Sequence, residues 1–143
     1  MSQTYISSSL RAQVAAQSHN CCCYCLCQED VAGVRFTVDH IIPESLGGET
    51  VAENLCLACW DCNLVKQNRI VGPDPETDET APLFHPRQQQ WDEHFRWEMG
   101  GLILAGLTPT GRATINTLRL NRPLLLRARE RWIGVGWHPP RLA

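Results

Sequence analysis

Residues 22–66 read CCYCLCQEDVAGVRFTVDHIIPESLGGETVAENLCLACWDCNLVK. Two Cys-x-x-Cys pairs stand near the ends of this stretch: Cys22 with Cys25, and Cys59 with Cys62, with 33 residues between them. Two such pairs can place four thiolates tetrahedrally around one Zn²⁺. Zinc binding of this kind contributes about 10–16 kcal/mol of apparent free energy, and it is coupled to folding. The spacing therefore predicts a four-cysteine zinc site.

Other cysteines could take the place of these four as zinc ligands, because four more lie near the two pairs: Cys21, Cys23, Cys27 and Cys56. Cys56 forms another Cys-x-x-Cys pair with Cys59, but it lies between two leucines and fits a buried apolar position. Disulfides and inert buried thiols are the other interpretations. The start of the chain shows no secretory signal, so we expect a cytoplasmic location, where thiols stay reduced and metal binding is favoured.

Composition excludes several classes of protein. The 143 residues fit a single domain, 1–143, and a hydrophobic content of 43% is ordinary for a soluble protein. No apolar run approaches the roughly 18 residues that a membrane span needs. Charge is uneven: residues 1–100 carry six Lys/Arg and fourteen Asp/Glu, whereas residues 101–143 carry seven Arg and one Glu. The basic C-terminal part could contact a polyanion, although a solvated helix face gives the same pattern.

Local patterns predict a mixture of helices and strands. A strand is expected over 34–38, continuing into Asp39 and His40, and an acidic proline-rich loop or linker over 72–82. The loop would separate a core at 20–70 from a C-terminal extension at 83–143. A β-hairpin with a glycine turn is expected over 94–104. Helices are expected over 7–17, near 51–53 and 62–66, over 108–120 and over 123–133.

Four polar residues between and beside the cysteine pairs stand out: Asp39, His40, Asn54 and Asn63. Together with the cysteines they resemble the HNH endonuclease family, in its variant with asparagine as the third motif residue. The matching segments are Cys22–Cys25, Val38–Pro43, Leu46–Gly48, Glu53–Leu55 and Cys59–Lys66. The resemblance covers nearly a third of the chain.

The resemblance implies a ββα-metal fold in which a hairpin carries Asp39 and His40 and a helix carries Asn63. Histidine is a general base suited to neutral pH, so His40 would activate water. The oxygen atoms of Asp39 and Asn63 suit a catalytic Mg²⁺ or Mn²⁺. Asn54, the other member of the catalytic set, would orient the loop and the histidine. The zinc would be structural and distinct from the catalytic ion.

Three of these residues also have a plain structural interpretation. Asp39 could cap a strand end, Asn54 could be a turn residue, and Asn63 could cap a helix. Lys66 and Arg69 follow on the predicted helix and are candidates for DNA phosphate contacts, or for a solvated face. The arginines of the extension are further candidates: Arg112, Arg119, Arg122, Arg127, Arg129 and Arg131.

We therefore predict an α+β protein with a zinc-stabilised ββα-metal core, an N-terminal helix, and a C-terminal β-hairpin plus two helices. The expected function is metal-dependent hydrolysis of DNA phosphodiester bonds. The alternative is a non-catalytic zinc-knuckle module that binds nucleic acid or protein. A thiol redox protein is disfavoured, because the sequence lacks the βαβ pattern expected of that class. The extra thiols at Cys21 and Cys23 depart from the family, and the pI of about 6.2 suggests weak nonspecific DNA affinity or help from a partner protein.

Overall fold

The computed structural model describes residues 5–141. Its α-helices are α1 (Ser8–Gln17), α2 (Glu29–Ala32), α3 (Trp60–Lys66), α4 (Trp91–His94), α5 (Pro109–Leu118) and α6 (Pro123–Gly134). Its strands are β1 (Thr37–His40), β2 (Leu55–Ala58), β3 (Val71–Pro73), β4 (Thr80–Pro82), β5 (Phe95–Glu98) and β6 (Ile103–Gly106). Within these residues the strands form three antiparallel pairs, so the predicted α+β class is confirmed. None of the described helices is long and apolar enough to cross a membrane.

The stretch between the cysteine pairs folds as a β-hairpin followed by a helix. β1 and β2 pair antiparallel, with His40 opposite Leu55, and all four residues of β2 are buried. α3 begins directly afterwards, where Sγ of Cys59 accepts a hydrogen bond from the backbone N–H of Cys62 at 3.4 Å. α3 packs on β1. This is the ββα arrangement that the family resemblance implies, and it brings the end of β1 beside the helix.

β1 is shorter than the sequence pattern predicts. The alternation predicts a strand over 34–38, whereas β1 begins at Thr37. The Glu29 carboxylate accepts a hydrogen bond from the backbone N–H of Phe36 at 2.7 Å, so this donor does not take part in strand pairing. Glu29 lies in α2, which the sequence pattern does not indicate, and forms an ion pair with Arg11 of α1 at 3.6 Å. Side-chain contacts therefore attach Phe36 to the two helices instead of to β2.

The acidic, proline-rich stretch 72–82 is a packed hairpin, and its interpretation as a plain loop or linker is wrong. Its ends belong to β3 and β4, and Asp74 between them is fully buried. Arg112 of α5 donates two hydrogen bonds to the Asp74 carboxylate, from Nε at 3.0 Å and from Nη2 at 2.9 Å. These bonds lower the pKa of Asp74 to about 2. The hairpin is thereby fixed against α5.

The C-terminal extension contains the hairpin and the two helices that its sequence predicts. The Thr108 side chain accepts a hydrogen bond from the N–H of Gly111, and Pro109 and Pro123 begin α5 and α6. Arg129 of α6 is buried and donates to backbone carbonyls and to a side-chain amide. One hydrophobic core joins the cysteine-bounded stretch to the extension, with contributions from Leu57, Phe84, Phe95, Leu118 and Leu125.

Candidate active site and zinc centre

Four cysteine side chains meet where the two Cys-x-x-Cys segments, 22–25 and 59–62, come together; we call these segments the first and second knuckle. Their Sγ atoms all lie within 4.8 Å of one another, and all four residues are buried: Cys22, Cys25, Cys59 and Cys62. A tetrahedral site with Zn–S bonds of about 2.3 Å has sulfur–sulfur edges of about 3.8 Å. The Sγ atoms of Cys25 and Cys59 are 3.8 Å apart. The cluster fits a structural zinc ion, and its members are the four cysteines that the spacing predicts.

The four thiols of the cluster differ in their pKa values: those of Cys25 and Cys59 are lowered, and those of Cys22 and Cys62 are raised. Hydrogen bonds from the other thiols, that of Cys22 first, lower the pKa of Cys59. The Arg122 guanidinium faces the sulfurs, with Nη1 3.7 Å from Sγ of Cys62 and Nη2 3.9 Å from Sγ of Cys59. Burial disfavours its charge, but the negative charges of Cys62 and Cys25 outweigh burial and raise the pKa of Arg122. Because zinc bound by four thiolates is a net anion, Arg122 partly neutralises it.

The other four cysteines are also free and buried, and they lie outside this cluster. Cys56 occupies β2, with its Sγ 3.7 Å from the hydroxyl of Tyr24, which is the buried position that its leucine neighbours predict. Cys27 lies beside the cluster, where hydrogen bonding to Cys22 raises its pKa. Its Sγ is not one of the four that lie within 4.8 Å of one another.

Three of the four polar residues that the sequence singles out line one open cleft. Asp39 and His40 end β1, and Asn63 lies on the adjoining helix α3. All three border a cleft of about 1000 Å³. Asn63 is the fourth residue of α3, whose N-cap is Cys59, so the interpretation of Asn63 as a helix cap is wrong. The cleft brings a carboxylate, an imidazole and an amide together, as the family resemblance implies.

The ring of His40 is held through one of its two nitrogens. Nε2 lies 2.9 Å from Oγ1 of Thr50 and 3.3 Å from Oε1 of Glu44. Because a carboxylate only accepts hydrogen bonds, these contacts favour the tautomer with its proton on Nε2. In the part of the chain that the structure describes, no residue bonds Nδ1 of His40. That nitrogen keeps a lone pair that can accept a proton.

Asp39 is buried and holds its carboxylate in a defined position. Its Oδ2 accepts hydrogen bonds from the hydroxyl of Tyr24 at 3.0 Å and from Nζ of Lys66 at 2.9 Å. Burial raises the pKa of Asp39 above its ordinary value, although the charge and hydrogen bond of Lys66 oppose this shift. A divalent cation in the cleft would supply further positive charge to this carboxylate.

Lys66 lies in the interior and not at the surface. Only 1% of the residue is exposed, and besides Asp39 its Nζ contacts the carbonyl oxygens of His40 at 3.3 Å and Ile41 at 3.2 Å. A DNA phosphate cannot reach an ammonium in this position. The prediction that Lys66 contacts DNA does not fit this placement; Lys66 instead fixes the end of β1. Arg69 is exposed and stays a predicted DNA contact.

Asn54 closes the loop that connects β1 to β2. Its Oδ1 accepts a hydrogen bond from the N–H of Ile42 at 2.8 Å, and its Nδ2 donates to the carbonyls of Ile42 and Glu49, each at 2.9 Å. All three contacts are to backbone atoms, so Asn54 is a positioning residue. The loop that it closes carries Thr50 and Glu44, the two residues that contact the His40 ring.

Gly48→Ala is expected to disrupt this loop. A Cβ at Gly48 would lie 1.7 Å from the carbonyl oxygen of Ile42 and 2.8 Å from Nδ2 of Asn54, both far inside contact distance. We expect a loss of about 1–3 kcal/mol in the free energy of unfolding, measured by denaturant titration of the zinc-loaded protein. Gly134→Ala is the control, because a Cβ there meets nothing within 4 Å. Equal stability of the two variants would contradict the close approach at Gly48.

The part of the chain that contains the cysteine cluster and the cleft was compared with models of known protein families. Residues 22–69 match the family model of the HNH endonucleases. This segment is an HNH domain. It contains the cysteine cluster and the cleft, and HNH domains are nuclease-type domains that generally bind nucleic acid. The chain matches no curated protein and no solved structure at a significant level.

Three residues of the HNH domain that hold the site together are missed by the sequence patterns: Tyr24, Glu44 and Thr50. Tyr24 stands inside the first cysteine knuckle, which gives no hint that its hydroxyl reaches Asp39, 15 positions further on. Glu44 and Thr50 flank a glycine-rich loop, and only the loop's closure places them against His40. The spacing of Glu44, four positions after the histidine that ends β1, is the one signal in the sequence that could have suggested this contact.

Proposed function

We propose that this protein is a metal-dependent HNH endonuclease that hydrolyses DNA phosphodiester bonds. The observation that carries the proposal is the His40 ring, which is held through Nε2 and receives no bond to Nδ1 from residues 5–141, in a cleft that also contains Asp39 and Asn63. In this proposal Nδ1 of His40 accepts a proton from the attacking water. Thr50 and Glu44 hold the ring and stabilise the imidazolium that forms.

The donors in the cleft fit a divalent cation. Asp39 and Asn63 offer hard oxygen atoms, which Mg²⁺ and Mn²⁺ prefer. When bound, such a cation would polarise the scissile phosphate and neutralise charge on the departing 3′ oxygen. Tyr24 and Lys66 hold the Asp39 carboxylate in place, and α3 carries Asn63 towards it. Asn54 keeps the loop closed and takes no part in proton transfer.

The zinc cluster has a separate, structural part in this proposal. It joins the first knuckle to the start of α3, and thereby fixes the helix that carries Asn63. All eight cysteines are free thiols. We propose a cytoplasmic setting, because reducing conditions keep zinc-binding thiolates intact.

The test is cleavage of supercoiled plasmid DNA with added Mg²⁺ or Mn²⁺. His40→Ala, with its zinc content and melting temperature checked, is expected to lose about 10²–10⁴-fold in cleavage rate. His19→Ala is the matched control, because His19 is an exposed histidine at the end of α1 and lines no part of the cleft. We expect its cleavage rate to equal that of the wild type.

Two outcomes would overturn the proposal. Equal cleavage by the wild type and His40→Ala would mean that His40 is not the base. Absence of cleavage by the zinc-loaded wild type on plasmid, linear duplex and single-stranded DNA, with DNA still bound, would favour the non-catalytic zinc-knuckle module.

A further inference from the structure

An exposed leucine lies where three depressions of the surface adjoin. Leu64 of α3 is 72% exposed and lines the active cleft. It also lines a polar depression that contains Arg69 and Arg119. A third depression, a groove of about 900 Å³, runs from Leu64 past Trp60 to Arg127. A single continuous surface therefore leads from the cleft to three arginines.

The structure separates the arginines of the extension by what they contact. Arg112 is ion-paired in the β3–β4 hairpin, Arg122 faces the zinc-binding thiols, and Arg129 is buried. Arg119 and Arg127 are exposed. Among residues 5–141, no carboxylate lies within ion-pair distance of either. Exposed cations without acidic partners are available to an anionic ligand.

We propose that Arg69, Arg119 and Arg127 bind the backbone phosphates of duplex DNA beside the cleft. We call these three residues the arginine track. The inference rests on the proposed function, since the scissile phosphate would lie in the cleft beside them. Trp60 and Leu64 would make apolar contacts with the sugars between the bound phosphates.

Duplex DNA fits this surface better than an acidic protein does, because the track is continuous with a cleft suited to a phosphodiester. Exposed apolar side chains among the arginines match a backbone in which sugars alternate with phosphates. The groove contains one acidic residue, Asp61. The backbone of Arg119 is held near the zinc cluster, because Nη1 of Arg122 donates to the carbonyl oxygen of Arg119 at 3.2 Å while facing the zinc-binding thiols.

The experiment measures how salt affects the binding of a fluorescently labelled 30-base-pair duplex. Zinc-loaded His40→Ala protein is used without added divalent cation, so that cleavage does not interfere. We expect Arg69→Gln, Arg119→Gln and Arg127→Gln each to reduce the slope of log K against log salt by about 0.9. At 0.1 M salt, each variant should bind about fivefold to tenfold more weakly. Arg96→Gln is the control, since Arg96 is exposed, pairs with Glu98 and lines none of the three depressions.

A second pair of variants tests Leu64, at the centre of this surface, by introducing one negative charge. Leu64→Glu places a carboxylate where the three depressions meet, and we expect it to weaken DNA binding at least tenfold. Met99→Glu is the matched control, because Met99 is equally exposed, at 74%, and lines none of the depressions. Thermal unfolding of every variant checks that the fold is retained.

The outcomes separate this inference from the proposed function. Slopes for the track variants equal to that of Arg96→Gln would overturn the arginine track, even if the wild type cleaves plasmid. Slopes that fall as expected, with a wild type that does not cleave, would support the track and overturn the nuclease. Failure to bind DNA, with binding of polyglutamate that depends on the same arginines, would assign the surface to an acidic protein and overturn the track.

Discussion

Removal of zinc is expected to unfold the HNH domain instead of only inactivating it. Zinc binding to four cysteines contributes about 10–16 kcal/mol, which is similar in size to the free energy of unfolding of a whole domain, roughly 5–15 kcal/mol. The cluster joins elements far apart in the sequence, since Cys25 and Cys59 are separated by 34 positions. Because the core of the HNH domain continues into the extension, we expect the loss of structure to spread beyond residue 69.

Two cysteine variants provide a sharp test of this expectation. Cys25 and Cys56 are both fully buried thiols, but only Cys25 belongs to the cluster. Cys25→Ser is expected to lose stoichiometric zinc and the cooperative thermal transition, whereas Cys56→Ser should keep one zinc ion per chain. Zinc content is measured by atomic emission, and Co²⁺ substitution reports thiolate ligation through its absorption spectrum. A chelator-treated wild type that retains its near-ultraviolet circular dichroism would refute the structural role of zinc.

Features encoded by nearby residues were predictable from the sequence. Ser7 accepts a hydrogen bond from the N–H of Leu10, Thr108 caps α5, and Pro123 begins α6. Each is a contact between residues that are close in the chain, so a local pattern predicts it. The zinc ligands were predictable for a related reason. The two cysteines of each pair are close in the sequence, and four thiolates that bind one zinc ion adopt a tetrahedral arrangement.

Features that depend on distant polar partners were not predictable. The prolines and acidic residues of 72–82 are typical of a linker, and only Arg112, 38 residues after Asp74, converts that stretch into a fixed hairpin. Likewise, the late start of β1 follows from Glu29, whose side chain takes a backbone donor that the strand pattern assigns to pairing. The residues next to a charged side chain in the sequence do not show which distant partner it will pair with in the interior.

Lys66, beside the candidate active site, is another residue whose burial depends on a distant polar partner. A lysine near the end of an amphipathic helix usually lies in solvent, and this helix also follows a nuclease motif. Lys66 is instead buried beneath the cleft, where it neutralises Asp39, 27 positions earlier in the chain. The sequence thus predicts residues that line the cleft, but it gives no sign that Lys66 is buried beside Asp39.

Lys66→Met is expected to destabilise the protein by about 3–5 kcal/mol, because it leaves the buried Asp39 carboxylate without its cation. The variant also loses the contacts to the carbonyls of His40 and Ile41. Adding Asp39→Asn should restore much of the stability, since an amide can be buried at lower cost than an unpaired carboxylate. A double-mutant cycle of denaturant unfolding, with all proteins zinc-loaded, measures this coupling.

Mg²⁺ gives the same cycle a second readout. With the ammonium gone, Asp39 should bind the cation more tightly, so that Mg²⁺ raises the melting temperature of Lys66→Met more than that of the wild type. In the Asp39→Asn, Lys66→Met double variant this gain should disappear. If Lys66→Met were instead as stable as the wild type and bound DNA more weakly, the ammonium would act in solvent, and Lys66 would return to the DNA-binding surface beside Arg69.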